Sequence, residues 1–425
     1  MKQIPQLSDP GEIARLVTER VEAERIKKKP NREHVSPSRK SEFPVNSIRS
    51  AAGRFADVYS SYLESAWEFL AMVYLTILGV LISQKITIQS QIHPQPRLYT
   101  ILVGRSADDR KSETIRQVVN FFIQCLQAIN DSVFKIDLCQ GLGSAEGLAT
   151  KFSGSPILLV YDELKSFVNK AQIEGSILLQ CVCSLFESNI FHSSTKKNSI
   201  SLDDVYLSLL GASTLETYQR MWTPAFLDIG FINRLFVIIG STERKFAIPR
   251  KIPDAEKAPL RNDLQDILVW IESLAKDGTY ELPIDDDADE LFESWYLSQE
   301  QSKVSKRLDT YGHRLLILLA ANEKQERITV GVVQKVIDLL NWQKEIRRII
   351  DPIDGETLIA KIECSIKGAL ANGPLTKREL ERKCHKDRYG TYYWRMATQG
   401  LIGDKEILLE KNTFYLDQGK EDESP

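Results

Sequence analysis

Five short apolar segments, separated by segments with helical patterns, occupy the stretch from Arg97 to Ser241. Their residues are almost continuously apolar instead of alternating with polar ones, as expected for strands that are covered on both faces. The segments are Leu98–Val103, Val133–Leu138, Ile157–Tyr161, Val205–Leu210 and Leu235–Ile239. This alternation predicts an α/β fold, with a parallel sheet between two layers of helices.

The 425 residues exceed one simple core, so we predict several folding units. These are residues 1–46 (a helix and a flexible basic arm), 47–250 (the sheet-containing core), 251–372 (a helical lid or bundle), 373–418 (a compact unit of short helices and strands) and 419–425 (a disordered tail). The helical patterns after Pro249 are Leu260–Leu274, Asp286–Glu300, Val304–Ala321, Val330–Ile349 and Gly355–Ala371. The basic arm is either a solvated linker or a contact for nucleic acid or a partner protein.

Composition limits the kinds of binding site and the cellular location that we expect for this chain. A net charge of −3 means that any nucleic-acid binding must come from local basic patches. The six cysteines show no zinc-ligand spacing, which favours reduced, buried thiols. The uncharged stretch Phe69–Ser83 is shorter than the ~20 residues that span a bilayer, so we predict a buried helix. We expect a cytoplasmic protein with no membrane contact.

A candidate phosphate-binding loop follows the first apolar segment. The strand ends at Gly104, and Lys111 and Ser112 precede a helical pattern. In this context backbone N–H groups at the helix start face an anion, the lysine reaches the β- and γ-phosphates, and the serine hydroxyl ligates Mg²⁺. We expect Gly104, Arg110, Lys111 and Ser112 to contact the nucleotide. The lysine comes one residue later than usual, Arg110 stands where glycine is common, and two aspartates need an arginine to offset them. A surface loop that opens an amphipathic helix is the alternative.

An acidic pair follows the third apolar segment, at Asp162 and Glu163. We expect Asp162 to hold the Mg²⁺ shell and Glu163 to polarise the attacking water, the division of labour that phosphoryl transfer needs. A helix cap is the alternative, because acids favour helix N-termini. The order and spacing of the two motifs favour a P-loop nucleoside triphosphatase, RecA/AAA+-like, that binds ATP and Mg²⁺.

Three further polar sites accompany these motifs. Ser213 and Thr214 end the fourth segment, which we expect between the other two motif-bearing strands, where a polar residue senses the γ-phosphate. Arg234 precedes the last segment and is a candidate arginine finger that reaches a neighbouring subunit's nucleotide. Arg220 is the competing candidate. An ordinary salt bridge is the alternative for Arg234.

These motifs together resemble a family of helicase-like P-loop proteins encoded near primases on prophages, plasmids and other mobile elements, domain-of-unknown-function family 3987. The similarity rests on V-G-R-S-x-x-x-R-K-S, L-L-V-Y-D-E, L-S-L-L-G-A-S-T and G-F-I-N-R-L-F, and covers about 66–352. It implies an ATP-driven motor or switch that works on DNA. It also implies that Arg314, in the helical block Tyr311–Ala320, is a second nucleotide sensor.

Two segments are candidate DNA contacts. Lys196 and Lys197 lie between the helix after the acidic pair and the Val205 segment, where ring motors carry a channel hairpin that grips the phosphate backbone. An exposed polar turn is the alternative. Residues 373–418 have the helix, turn, helix and β-wing layout of a winged helix. Its basic candidates are Arg382, Lys383, Arg388 and Arg395.

The leading hypothesis is an ATP-dependent DNA helicase or helicase-like replication protein of a mobile element. We expect a homo-oligomeric ring, with a hexamer as the best estimate, single-stranded DNA in the channel, duplex DNA at the winged helix and a primase as a possible partner. The alternative is a non-hydrolysing DNA-binding initiator or adaptor that keeps the P-loop fold as scaffold. A nucleotide-gated defence or regulatory switch is a third hypothesis.

Overall fold

The computed structural model describes residues 42–105, 109–129, 133–151, 156–194, 199–242, 244–300, 305–350, 355–371, 373–404 and 406–416. The chain divides into two units, Met1–Phe43 and Pro44–Pro425, and all the elements described below belong to the second. The helix and most of the basic arm predicted in residues 1–46 lie outside the described residues. So do Lys196, Lys197 and the predicted tail 419–425.

The described part of the chain contains both helices and strands. The strands are β1 (Ile86–Ile88), β2 (Tyr99–Gly104), β3 (Asp137–Gln140), β4 (Pro156–Tyr161), β5 (Phe191–Ser194), β6 (Ser199–Leu202), β7 (Tyr206–Thr214), β8 (Phe236–Ile239), β9 (Tyr280–Leu282), β10 (Leu375–Thr376), β11 (Ile407–Glu410) and β12 (Thr413–Leu416). The helices of the first part are α1 (Ala51–Tyr62), α2 (Trp67–Ile82), α3 (Lys111–Ile129), α4 (Ala145–Lys151), α5 (Leu164–Ala171), α6 (Leu178–Glu187), α7 (Leu215–Arg220) and α8 (Pro224–Asp228). The later helices are α9 (Asp254–Leu274), α10 (Asp286–Leu297), α11 (Leu308–Glu323), α12 (Val330–Ile350), α13 (Gly355–Leu370), α14 (Lys377–Lys383), α15 (Lys386–Tyr389) and α16 (Thr391–Gly403).

The central sheet has five parallel strands in the order β3-β4-β7-β2-β8. The predicted α/β class and parallel sheet are therefore confirmed, and β7 lies between β2 and β4 as expected. Most strand ends differ from the predicted ones by one or two residues, but β7 continues to Thr214 and not only to Leu210, and β3 begins at Asp137 and not at Val133. Val133 is 41% exposed and Phe134 is buried outside any strand, so the apolar pair at this point belongs to a turn.

Helices cover both faces of the sheet. The α2 residues Phe69–Ile82 are all buried, and the hydroxyl of Thr76 lies 2.7 Å from that of Thr100 on β2. Tyr99, the preceding residue of β2, donates its hydroxyl hydrogen bond to the carbonyl of Val182 on α6 at 2.8 Å. Successive side chains of a strand point to opposite faces, so α2 and α6 lie on opposite faces.

Among the described residues, no helix is long and apolar enough to cross a membrane.

The C-terminal part has its own hydrophobic core, built around Trp394, Leu401 and Phe414. Strands β10, β12 and β11 form a three-stranded antiparallel sheet in that order. Helix α13 contributes Ile362 and Ile366 to this core. The sequence pattern places residues 355–371 with the preceding helical bundle, whereas the packing of α13 joins it to the C-terminal part. Helical periodicity reports that a helix has an apolar face but not which core receives that face.

Candidate functional site

The loop after β2 is organised by a buried carboxylate. Asp109 is 1% exposed, and it accepts hydrogen bonds from the backbone N–H of Arg105 and, at 3.3 Å, from that of Thr242. The Arg105 guanidinium lies 3.2 Å from the same carboxylate. A Cβ atom at Gly104 would stand 2.6 Å from Asp109 Oδ2, so a larger residue at the end of β2 would displace the Asp109 carboxylate. The Asp109 carboxylate thus points inward, where Arg105 neutralises its charge.

Lys111 begins α3 at the carboxyl edge of the sheet. Its side chain is largely buried, and Nζ donates a hydrogen bond to the carbonyl oxygen of Arg105 at 2.6 Å. Burial lowers the pKa of the Lys111 ammonium, and the negative charges of Asp109 and Glu163 partly offset that effect. The Lys111 ammonium is therefore near enough to Glu163 for their charges to interact, although the two residues are far apart in the sequence.

Ser112 and Asp162 line one cleft of about 340 Å³ beside the first turns of α3. Both residues are exposed, and both present oxygen atoms. Magnesium prefers oxygen ligands and commonly takes only one or two protein carboxylates, with water and substrate phosphates completing its shell. The pair fits that pattern. No group of three acidic, histidine or cysteine side chains suited to a metal occurs among the residues that the structure describes.

Glu163 occupies the N-cap position of α5, the position that the helix-cap alternative requires. Its backbone is extended there, and its carbonyl accepts hydrogen bonds from Ser166, but its side chain makes no capping hydrogen bond. The carboxylate is exposed at the same edge of the sheet as Lys111. The capping alternative is thus not realised by the Glu163 carboxylate, which stays accessible to a ligand.

Arg110, predicted to bind nucleotide, pairs with Glu64, which the sequence motifs do not include. Its guanidinium lies 3.2 Å from Glu64 Oε2, and its backbone is left-handed at φ 44°. Glu64 Oε1 accepts hydrogen bonds from the backbone N–H groups of Lys245 and Phe246 at 2.6 and 2.8 Å. No local pattern marks Glu64, which follows α1 in a short connection. Its importance comes from three partners remote in the sequence.

The predicted γ-phosphate sensors, Ser213 and Thr214, lie beside β2, but their hydroxyl groups have different hydrogen-bond partners. Val103 and Gly104 of β2 are in register with Ser213 and Thr214 of β7. The Thr214 hydroxyl caps α7 by accepting the N–H of Thr217 at 3.1 Å. The Ser213 side chain is buried and donates a hydrogen bond to the Thr214 carbonyl at 3.2 Å. Ser213 is thus the nearer match to a sensor, because the Thr214 hydroxyl already serves the helix.

Arg234 lies at the opposite edge of the sheet from Lys111. It precedes β8, whose Phe236 is in register with Thr100 near the start of β2. Its guanidinium is buried, donates to the carbonyls of Ile229 and Gly230 at 2.8 and 3.1 Å, and lies 3.6 Å from Glu187. The salt bridge considered as the alternative is what the structure contains. This conformation does not favour Arg234 as an arginine finger, because its donors are directed into its own chain.

Arg314, predicted as a second nucleotide sensor, is buried at the amino edge of the sheet. It donates to the carbonyl of Arg97, which precedes β2, at 2.6 Å, and its guanidinium stacks over the Phe186 ring at 3.9 Å. The β2 strand of six residues separates this amino edge from Gly104 by roughly 16–20 Å, at ~3.3 Å per residue. Burial lowers the pKa of Arg314 to about 10. These contacts favour a structural role for Arg314 in this conformation.

The C-terminal basic candidates lie on the three short helices of that part. Arg382 and Lys383 are exposed on α14, Arg395 is exposed on α16, and Arg388 belongs to α15. Of the aromatic residues, Trp394 is buried in the C-terminal core, whereas Tyr392 is 62% exposed.

The predicted hairpin around Lys196 and Lys197 is present in its described part, where β5 and β6 form an antiparallel pair.

Comparisons with known proteins add nothing to this geometry. No protein-family model matches the sequence. The search of curated proteins also finds no match. The resemblance drawn from the loop and strand motifs therefore stays a prediction.

Proposed function

We propose that this chain is a P-loop nucleoside triphosphatase that hydrolyses ATP. The observation that carries the proposal is the juxtaposition of two motifs, the phosphate loop and the acidic pair, at one edge of the sheet. Lys111 lies close enough to Glu163 for their charges to interact, while Ser112 and Asp162 line one cleft. The strand order, with β7 between β2 and β4, is the order that an additional-strand P-loop fold requires. Ligand sites of open α/β sheets lie at this carboxyl edge.

In the proposed reaction the protein positions and neutralises charge. The start of α3 directs backbone N–H groups at the phosphates, and Lys111 exchanges its hydrogen bond with the Arg105 carbonyl for the β- and γ-phosphates. Glu163 orients a water molecule for in-line attack on the γ-phosphorus and accepts its proton as the bond to the β–γ bridging oxygen breaks. The products are ADP and inorganic phosphate.

Ser112 and Asp162 are the residues that would hold Mg²⁺. Bound there, Mg²⁺ neutralises the charge that develops on the phosphate oxygens. The Ser112 hydroxyl would ligate directly, and Asp162 would bind the ion or a water of its shell. Both side chains are exposed to the cleft and need no rearrangement of the sheet.

We extend the proposal to a DNA-dependent motor or switch. The C-terminal part supports a winged helix, since α13, β10, α14, α16 and the β11–β12 hairpin follow the winged-helix order, with exposed cations on α14 and α16. The β5–β6 hairpin carries Lys196 and Lys197 between its strands, as a channel loop would. The helicase and hexameric ring hypotheses rest on these features and on the family resemblance.

ATP turnover by the full chain tests the proposal. We expect Mg²⁺-dependent hydrolysis that single-stranded DNA accelerates, and loss of both binding and hydrolysis in Lys111→Ala. The matched control is Lys335→Ala, which removes a lysine paired with Glu323 at 2.6 Å on the helical part. Equal ATP affinity in wild type and Lys111→Ala would refute the site.

The non-hydrolysing initiator or adaptor is the second candidate. It is favoured by the unusual loop, in which Asp109 and Arg105 already satisfy each other. Under this alternative the wild type binds ATP through Lys111 without turnover, and DNA binding depends on nucleotide. Measured hydrolysis above the level of Glu163→Gln would exclude it.

A further inference from the structure

A second cavity, of about 580 Å³, shares Glu113 with the Ser112–Asp162 cleft and otherwise borders a different part of α3. Its walls come from the end of α1, the first turns of α3 and the segment that leads to α9. Glu113 and Gln117 line it from α3, where positions four apart share one face, and Arg110 lines it from the residue before the helix. Its volume lies within the range of about 300–1,000 Å³ that is typical of small-molecule sites.

The cavity combines apolar and polar walls with free backbone groups. Leu63, Ala247, Pro249 and Ile252 supply apolar surface, and the other lining residues are mostly polar or charged. Within the described part of the chain, the backbone amides and carbonyls of residues 247–252 form no hydrogen bond. A flat heteroaromatic ring suits such walls, because its faces make apolar contacts while its edge carries donors and acceptors.

Arg110 places this cavity next to the phosphate loop. It precedes Lys111 directly, and its guanidinium lies at the cavity wall, paired with Glu64. Glu64 in turn holds the backbone of Lys245 and Phe246, the residues immediately before the apolar wall. A ligand whose phosphates bind at Lys111 would therefore extend past Arg110 to reach this cavity. Glu64 contacts both Arg110 and the segment that precedes the apolar wall.

We infer that this cavity receives the base and ribose of a nucleoside triphosphate, with the ring between Leu63 and the 247–252 segment. The inference rests on the proposed function, since the phosphates must bind at the loop. Backbone groups of residues 247–252 and the polar side chains of Glu113 and Gln117 are then the available contacts for the edge of the base. Tripolyphosphate, which lacks the nucleoside, should bind only the loop.

Binding of ATP and of tripolyphosphate, each with Mg²⁺, tests the inference in the full chain. Ala247→Trp fills the cavity at an exposed position, and we expect ATP affinity to fall about tenfold or more, the scale of steric discrimination in an apolar pocket. Tripolyphosphate affinity should not change. Ile248→Trp is the matched control, because Ile248 is 84% exposed and lies outside the cavity wall.

A photoreactive ATP that carries an azide on the base supplies a second readout. We expect it to label the peptides that contain Leu63 or residues 247–252, and Lys111→Ala to abolish labelling. Unchanged ATP affinity in Ala247→Trp, or labelling elsewhere, would overturn the nucleoside site while Lys111 dependence still supports the phosphate loop. ATP binding that ignores Lys111→Ala would instead refute the proposed function itself.

Discussion

The guanidinium of Arg110 lies 3.2 Å from the carboxylate of Glu64. Glu64 joins three segments, since it also binds the amides of Lys245 and Phe246. These two backbone hydrogen bonds, together with the hydrogen bond from the Arg110 side chain, hold the pKa of Glu64 below its ordinary value of 4.5. Its stabilising effect is therefore complete above that value and is lost as the pH falls through the lower folded-state pKa.

Glu64→Gln tests this connection. The amide oxygen can still accept from the two backbone N–H groups, but the charge that holds Arg110 is gone. We expect weaker ATP binding and a melting temperature that no longer drops with pH below 4.5 as steeply as in wild type. Asp263→Asn is the control, because its pair with Arg54 at 2.8 Å is a surface pair. Equal effects of both changes would contradict a special role for Glu64.

Glu163→Gln should separate binding from hydrolysis. The carboxylate does not cap α5, so its loss leaves the fold intact, and ATP should bind with near wild-type affinity. Hydrolysis should fall by about 10²-fold or more, because the general base that orients the water is absent. Rapid-quench measurement of phosphate release, beside equilibrium ATP binding, checks both halves. Parallel loss of the two would mean that Glu163 supports structure.

Glu68, behind the loop, should make stability depend on pH. Burial raises its pKa to about 7, while a hydrogen bond from Ser241 opposes that rise. A raised pKa means that the stabilising protonated form is fully present below about 4.5 and is lost as the pH rises through 7. We expect the free energy of unfolding to decline by up to about 3 kcal/mol over this range.

Denaturant unfolding of wild type and Glu68→Gln between pH 4 and 8 measures this effect. The variant should lack the decline and be the more stable protein at pH 8. A wild-type curve that stays flat between pH 4.5 and 7 would show that Glu68 is ionised throughout.

Arg220 is the better placed of the two candidate arginine fingers. Its side chain is 76% exposed, and it ends α7, which begins at the carboxyl end of β7, the edge that carries Lys111. We expect Arg220→Ala to keep ATP affinity and to lower hydrolysis by ~10³-fold or more in the assembled protein. Arg234→Ala should instead destabilise the fold by about 1–3 kcal/mol, because carbonyl groups lose a charged donor.

Mixing Arg220→Ala with Lys111→Ala protein tests the finger directly. If the arginine acts in trans, some interfaces join an intact lysine to an intact arginine, and activity returns in part. Arg348→Ala, which removes an exposed arginine paired with Glu345, is the control for a nonspecific charge effect. No recovery despite demonstrated co-assembly would assign Arg220 to its own site or to none.

The C-terminal part should bind duplex DNA through exposed cations. Arg382→Ala and Arg395→Ala should each weaken binding and lower the slope of log affinity against log salt by about 1, the change expected for one lost phosphate contact. Lys386→Ala is the control, because Lys386 is already paired with Glu381 at 2.8 Å. Point changes are preferable to deletion from Gly373, which would expose the core face of α13. Salt-independent binding would reassign this surface to protein contacts.

The sequence by itself determined the sheet and the motifs attached to it. Continuous apolar runs specify buried strands, and a strand carries the residues that follow it to a defined edge of the sheet. Local patterns are therefore enough to place Gly104, Lys111, Asp162 and Glu163 at that edge. The position of β7 between β2 and β4 also agrees with the expectation. The Val133 segment is the exception, because apolar residues in a turn resemble the start of a strand.

Only the tertiary structure decided the partners of the arginines and of the isolated acids. Arg110 meets Glu64 across 46 positions, and Arg314 meets the Arg97 carbonyl across 217. A guanidinium looks the same in a sequence whether it faces a ligand, a carboxylate or a carbonyl. Its role depends on which group burial brings within hydrogen-bond distance, because unpaired buried charge is too costly to persist. That choice is made by packing between remote segments, which local patterns do not encode.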